Sequence, residues 1–301
     1  MNQSGHQADR LQLRSEDGRL LDVELSGPED GQPLIFHTGT PNSGSLFEPM
    51  IAMGSERGIR HVSYARPGYG SSQRQAGRSV ADCVADVLAI ASELGIERFM
   101  TIGWSGGGPH ALACAALLED RTLAAATLAG AAPFEAEGLD FLAGMGEDNL
   151  EEFAAAEGGE GPLLQYLEPA CEGLLEAGPA ELAAELGDVL SEVDLAALSG
   201  DFAEYLSRAM SGAVANGPWG WLDDDLAFLR PWGFDLAAID VPVTVWQGGE
   251  DRFVPFAHGE WLARHVSGAR PRLLAEEGHL SIVIASYGAV LDDLLERAAE
   301  G

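Results

Sequence analysis

The sequence predicts an α/β protein: a mostly parallel, twisted sheet of about eight strands flanked by helices, with a helical cap insertion. Two observations support this fold. Short β-rich runs alternate with helix-forming segments in both halves of the chain, which is typical of a parallel sheet covered on both faces. Between the halves, residues 134–232 are strongly acidic and show no convincing strand pattern. We therefore expect a core domain of residues 1–133 and 233–301, and a mainly helical cap or lid subdomain of residues 134–232.

The elements of the core follow from residue pattern, taken in chain order. Two strands at residues 11–14 and 19–25 form a predicted antiparallel hairpin around the turn Glu16-Asp17-Gly18. The other strands are short apolar or small-residue runs, at residues 33–37, 60–65, 99–102, 122–128, 241–247 and 271–274. Helical spacing or an Ala-rich composition predicts helices at residues 80–94, 109–118, 257–266 and 281–299.

The charge of the chain excludes several classes of function. It has 48 acidic and 17 basic residues, with a net charge of −31, and every basic residue is arginine. Without lysine, Schiff-base chemistry and a lysine-held pyridoxal phosphate are impossible. The negative charge argues against nucleic-acid partners. The predicted cap contains 22 of the acids and two arginines. A salt-rich environment and a GC-rich genome are both open as causes of this acidity.

Other features point to a cytoplasmic protein without a membrane partner. No run of 18 apolar residues is present, and residues 1–6 are polar and lack the apolar segment of a signal peptide. Three cysteines, at positions 83, 114 and 171, form neither a disulfide framework nor a metal-ligand pair. We expect no metal and no organic cofactor.

The most informative motif is the turn Gly103-Trp104-Ser105-Gly106-Gly107, which lies between a predicted strand and a predicted helix. G-x-S-x-G in this context is typical of a nucleophile elbow. The serine backbone turns sharply, and we expect Cβ atoms at Gly103 and Gly107 to collide across the turn. The helix that follows presents its N-terminus to developing negative charge. Ser105 is therefore the candidate nucleophile.

A serine nucleophile needs a base and an orienting carboxylate. Asp251 lies in the loop after the strand at residues 241–247, and His279 lies in the loop after the last strand. Both are at carboxyl ends of parallel strands, where open α/β sheets bind ligands. Glu250 is a rival for the acid, whereas none of the other six histidines follows the final strand.

With Ser105, Asp251 and His279 in this order, the chain resembles the α/β-hydrolase superfamily over residues 10–133 and 233–299, and the insertion matches the usual cap position. The pattern G-x-x-D-x-x-V-P favours Asp251 over Glu250. The resemblance implies an oxyanion hole formed by the backbone amides of Gly106 and Thr40. Thr40 belongs to Thr38-Gly39-Thr40-Pro41, where the family commonly has His-Gly-x-Pro. The segment Arg66–Ser71 resembles a structural loop of the family, and we assign it no chemistry.

The resemblance implies an esterase-like serine hydrolase that cleaves a small-molecule carboxylic ester or lactone through an acyl-enzyme. Serine at position 105 excludes the epoxide hydrolases and haloalkane dehalogenases of the superfamily, which use aspartate. An amidase or aminopeptidase is an alternative. A non-hydrolytic lyase, cyclase or ligand receptor on the same fold is another. The expected partner is a small acyl substrate, and assembly into a homo-oligomer is left open.

Specificity is expected to come from the cap and from aromatic side chains near the nucleophile. The candidate substrate-binding residues are Trp104, Phe134, Trp219 and Trp221; the last two belong to the densest aromatic cluster of the cap. The cap acids have two interpretations: they bind a substrate amine, or they form solvated helix faces. In either case we expect anionic substrates to be disfavoured.

Overall fold

The computed structural model describes residues 8–300, which contain one eight-stranded sheet. Its strands are β1 (Asp9–Arg14), β2 (Leu20–Ser26), β3 (Gln32–His37), β4 (Ile59–Tyr64), β5 (Phe99–Trp104), β6 (Thr122–Leu128), β7 (Val243–Gly248) and β8 (Arg270–Leu274). The strand order is β1-β2-β4-β3-β5-β6-β7-β8. Only the pairs β1–β2 and β2–β4 are antiparallel. The predicted fold class is confirmed.

Helices outside the insertion cover the sheet. They are α1 (Glu48–Glu56), α2 (Cys83–Glu93), α3 (Gly108–Leu117), α10 (Phe256–His265) and α11 (Ser281–Ala298). The predicted helix at residues 80–94 begins with a 3₁₀ turn, Val80–Asp82, before α2. Sequence pattern did not predict α1, a helix of nine residues of which only three are buried.

Between β6 and β7 the chain forms the remaining α-helices of the described residues. They are α4 (Glu147–Glu157), α5 (Glu160–Glu176), α6 (Leu182–Glu185), α7 (Glu192–Ala197), α8 (Gly200–Val214) and α9 (Trp219–Phe228). We call residues 134–232 the insertion; its exact bounds stay a prediction. Its apolar faces are continuous with the core, because one cluster of buried side chains joins Leu163 and Leu206 to Met100 of the sheet and Leu291 of α11. This packing holds the insertion over one edge of the sheet.

No helix among residues 8–300 is long and apolar enough to cross a membrane. The prediction made for the polar residues 1–6 lies outside the described residues. All three cysteines are free and buried.

Candidate active site

The turn after β5 has the geometry that its glycines suggest. Ser105 has a φ of +54°, in the left-handed region that costs a residue with a Cβ about 1–2 kcal/mol. A Cβ on Gly103 would overlap the carbonyl of Gly107, as predicted, whereas a Cβ on Gly107 would overlap the carbonyl of His37 at the end of β3 and not the other side of the turn. The turn therefore tolerates only glycine at both positions, and α3 begins directly after it at Gly108.

The Asp251 carboxylate is fully bonded and directed at His279. Its Oδ2 accepts from His279 Nδ1 at 2.9 Å and from Gln247 Nε2 at 2.9 Å. Its Oδ1 accepts from the backbone amides of Phe253 and Val254 at 2.9 and 2.8 Å. Burial raises the pKa of Asp251, and the neighbouring His279 opposes this rise. The rival acid, Glu250, has an exposed side chain and accepts no hydrogen bond from a described donor.

The His279 imidazole lies close to two aromatic rings. Phe253 stacks on it with centroids 4.5 Å apart, and Trp104 lies 5.8 Å away and donates its Nε1 proton to the His279 carbonyl at 3.4 Å. His279 and Ser105 both line one small cavity of about 40 Å³. Ser105 Oγ has no hydrogen-bond partner among residues 8–300, and Ser–His contacts are often long without substrate. Since Nδ1 is bonded to Asp251, Nε2 is the nitrogen left for the serine proton.

A residue of the insertion holds the histidine loop. Asp194, at the start of α7, is fully buried and accepts hydrogen bonds from three consecutive amides. The bonds come from His279 N at 3.0 Å, Leu280 N at 2.7 Å and Ser281 N at 3.0 Å. The carboxylate thus caps the N-terminus of α11 as well. A residue of the insertion therefore positions the backbone of His279, the candidate base.

The loop after β3 lies directly against the nucleophile turn. A Cβ on Gly39 would stand 3.3 Å from Ser105 Cβ, and a Cβ on Gly106 would overlap Thr40 Oγ1. The Thr40 amide has no hydrogen-bond partner among the described residues. The Gly106 amide lies in the first turn before α3, where helix amides lack intrahelical acceptors. The two amides predicted to form the oxyanion hole thus belong to segments in contact.

Arg66 anchors this loop to the insertion. Its guanidinium donates to the Gly39 carbonyl at 3.0 Å and to the Asp224 carboxylate of α9 at 2.6 Å. Asp224 accepts from three further side chains at 2.6 to 2.8 Å, those of Arg78, Tyr69 and Thr40. Burial alone would raise the pKa of Asp224, but Arg66 and Arg78 outweigh burial and hold it well below its usual value. The sequence pattern indicates no chemistry for Arg66, whereas the structure shows that it holds the loop containing Thr40.

A larger cavity of about 510 Å³ opens in front of Ser105 and Gly106 and is roofed by the insertion. Six aromatic side chains line it: Phe141, Phe153, Tyr166, Trp221, Phe228 and Phe253. Five carboxylic acids also line it: Asp148, Glu151, Glu152, Glu185 and Asp225. Small-molecule sites have volumes of this order.

The four aromatic residues predicted to bind substrate have different positions. Trp221 lines the large cavity, and Trp104 lines the small one beside His279. Phe134 packs against Phe141 with centroids 5.1 Å apart, behind the cavity wall. Trp219 lies under the Arg74 guanidinium, 4.6 Å from its ring centre, and lines neither cavity. The geometry therefore favours substrate contacts for Trp221 and Trp104 only.

Sequence reasoning missed several residues that position or line this site. They are acids of the insertion, where composition indicates only an overall negative charge: Asp194, Asp224, Glu152 and Asp225. One local signal was available: Asp223, Asp224 and Asp225 interrupt an otherwise apolar helix. Within residues 8–300 no cluster of three or more His, Cys, Asp or Glu side chains is arranged to hold a metal ion.

Known proteins with sequence or structural similarity agree with this architecture. The family model described as alpha/beta hydrolase fold matches residues 32–157. A non-heme chloroperoxidase from Streptomyces lividans is 28% identical over 81% of this chain and 83% of its own length. A hydrolase from Pseudomonas aeruginosa has a TM-score of 0.69 at 21% identity, covering 97% of this chain and 98% of that one. An esterase from Thermogutta terrifontis has a TM-score of 0.68 at 19% identity, covering 97% and 99%. Residues 32–157 therefore match the alpha/beta hydrolase family model, and the chain shares the fold of these two solved structures.

Proposed function

We propose that the protein is a serine hydrolase that cleaves a small-molecule carboxylic ester or lactone through an acyl-enzyme. Ser105 is the nucleophile, His279 the base and then the acid, and Asp251 the orienting carboxylate. The observation that supports this most is the convergence of three independent segments. The strained Ser105 turn, the Asp251–His279 pair and the Thr40 loop meet at the cavities in front of the nucleophile.

The first half of the reaction forms the acyl-enzyme. His279 Nε2 takes the Ser105 hydroxyl proton as Oγ attacks the substrate carbonyl carbon, and the carbonyl oxygen becomes an oxyanion. The amides of Thr40 and Gly106 donate to that oxygen. The C–O bond to the leaving alkoxide then breaks, His279 returns the proton to it, and an alcohol departs. With a lactone, that alcohol stays attached to the acyl group.

The second half uses water in place of the serine. His279 takes a proton from water as its oxygen attacks the acyl carbon, and Ser105 leaves with the proton that His279 returns. The products are a carboxylic acid and free enzyme. Asp251 stabilises the imidazolium formed in each half, because its Oδ2 already accepts from Nδ1 at 2.9 Å.

Intact-mass labelling with a small fluorophosphonate tests this proposal. We expect one adduct on the wild type and none on Ser105→Ala. Ser92→Ala is a matched control, since Ser92 is an exposed serine of α2 that lines neither cavity, and it should label like the wild type. Hydrolysis of p-nitrophenyl heptanoate should follow the same pattern. A folded wild type that neither labels nor hydrolyses the ester would contradict the proposal and favour a ligand receptor.

A further inference from the structure

Three consecutive aspartates on α9 are all buried, but only the first two have arginine partners. Asp223, Asp224 and Asp225 are exposed by only 1%, 0% and 2%. Asp223 pairs with Arg74 at 2.8 and 3.1 Å, and Asp224 pairs with the two arginines described above. Asp225 has no arginine partner, and its buried Oδ2 has no hydrogen-bond partner among residues 8–300. Buried carboxylates normally have such a partner, because an unpaired buried charge is costly.

Asp225 meets another carboxyl group at the cavity wall. Glu152 of α4 lies within hydrogen-bonding reach of Asp225 and accepts the Trp221 Nε1 proton at 2.6 Å. We call Glu152 and Asp225 the acid pair. Burial and the charge of Glu152 raise the pKa of Asp225 well above its usual value, which favours a proton held between the two carboxyl groups. Two carboxyl groups this close together need either that proton or a hydrogen-bond donor from a bound molecule between them.

The cavity supplies no cation of its own. No arginine lines it in the described part of the chain, whereas Asp148, Glu151 and Glu185 add three more carboxyl groups to its wall. Its aromatic side chains, Trp221 among them, present ring surfaces that also attract cations. A carboxylate on the substrate would be repelled here. A positively charged group would be stabilised and would find hydrogen-bond acceptors.

We propose that the acid pair binds a protonated amine on the substrate, so that the preferred substrate is an ester bearing an ammonium group. The ammonium replaces the shared proton and donates N–H bonds to Glu152 and Asp225, while the ester carbonyl reaches Ser105, which lines the same cavity. This inference rests on the serine hydrolase function proposed above. A solvated acidic helix face does not account for Asp225, because its side chain is withdrawn from solvent.

Three p-nitrophenyl esters of similar length test the inference: 6-aminohexanoate, the neutral heptanoate and the anionic adipate monoester. At physiological salt we expect kcat/KM to be highest for the ammonium ester and lowest for the adipate. In the double variant Glu152→Gln/Asp225→Asn, the ratio of ammonium to neutral ester should fall at least about tenfold. The control Glu157→Gln/Glu172→Gln removes two exposed insertion acids outside the cavity and should keep the wild-type ratio.

A second measurement uses the wild type alone, in case the double variant does not fold. n-Hexylammonium should slow fluorophosphonate labelling of Ser105 at concentrations where hexan-1-ol has no effect. Equal protection by the two compounds would overturn the inference, and so would an unchanged ester ratio in a folded double variant. In both cases the hydrolase function stands if the heptanoate is still cleaved through Ser105. Loss of labelling and of all ester turnover in the wild type would overturn both proposals.

Discussion

Replacing Asp194 with asparagine perturbs the candidate base without touching the cavity wall. The wild-type carboxylate uses two oxygens to accept from the amides of His279, Leu280 and Ser281. Asparagine keeps one oxygen and turns an amide NH₂ toward at least one of these donors. It also removes the negative charge at the N-terminus of α11.

The size of the effect follows from the bonds that are lost. Hydrogen bonds to a charged acceptor contribute about 1.5–3 kcal/mol each, and a buried amide left unpaired adds a similar cost. Since Asp194 is fully buried, we expect Asp194→Asn to lower the free energy of unfolding by about 2–4 kcal/mol. Displacement of a catalytic group by 1 Å costs about 100-fold in rate, so we expect kcat to fall about 10- to 100-fold.

The assay is urea denaturation together with steady-state kinetics on p-nitrophenyl heptanoate. KM should change little, because Asp194 does not line the cavities. Asp188→Asn is a matched control: Asp188 also accepts a backbone amide in the insertion, that of Glu147 at 2.9 and 3.0 Å, but it makes no contact with the histidine loop. It should leave kcat unchanged. An Asp194→Asn protein with wild-type kcat, or with only KM altered, would refute the positioning role.

Three further predictions concern other parts of the site. Ser105→Gly should abolish labelling yet raise the free energy of unfolding by about 0.5–1 kcal/mol in urea denaturation, because glycine adopts the φ of +54° without strain; a destabilised variant would contradict this. Asp224→Asn should lower both the melting temperature and kcat, because Arg66 loses its carboxylate partner and releases the Thr40 loop. A destabilised variant with an unchanged kcat would contradict the role of Asp224 in positioning that loop. Because the pKa of Asp225 is raised, the folded state binds more protons than the unfolded state at pH values above the ordinary carboxyl pKa of about 3.8. The free energy of unfolding therefore falls as the pH rises, until the pH passes the raised pKa. Between pH 5 and pH 8 the free energy of unfolding, measured by urea denaturation, should therefore fall less for Glu152→Gln/Asp225→Asn than for Glu157→Gln/Glu172→Gln. An equal fall in the two variants would contradict the raised pKa of Asp225.

The parts of the fold that sequence pattern predicted are those with local signals. Each strand of the sheet has its own β-rich or small-residue run between turn residues, and the observed bounds differ from the predicted ones by two residues or fewer. Ser105, Asp251 and His279 follow three of these strands, so their convergence follows from the parallel topology. Helix α1 was missed because its nine residues bury only Met50, Ile51 and Gly54, too few for a periodic signal.

The residues that support the site were not predictable in the same way, because their partners are distant in sequence. Asp194 binds amides 85 to 87 positions later, and Asp224 binds Arg66 158 positions earlier. Amino-acid composition also does not predict which residue of an aromatic cluster faces the site, as Trp219 and Trp221 show. Two residues apart on a helix, they point in nearly opposite directions, so one contacts Arg74 and the other lines the cavity.

The most direct test of the account is whether the acyl group of a substrate becomes attached to Ser105 during turnover. Wild type mixed with excess p-nitrophenyl heptanoate, quenched in acid within the first turnovers, is analysed by intact mass and peptide mapping. The account predicts one heptanoyl group on the peptide containing Ser105, and none on Ser105→Ala. Ester turnover that persists in Ser105→Ala, or an acyl group mapped to another residue, would contradict it.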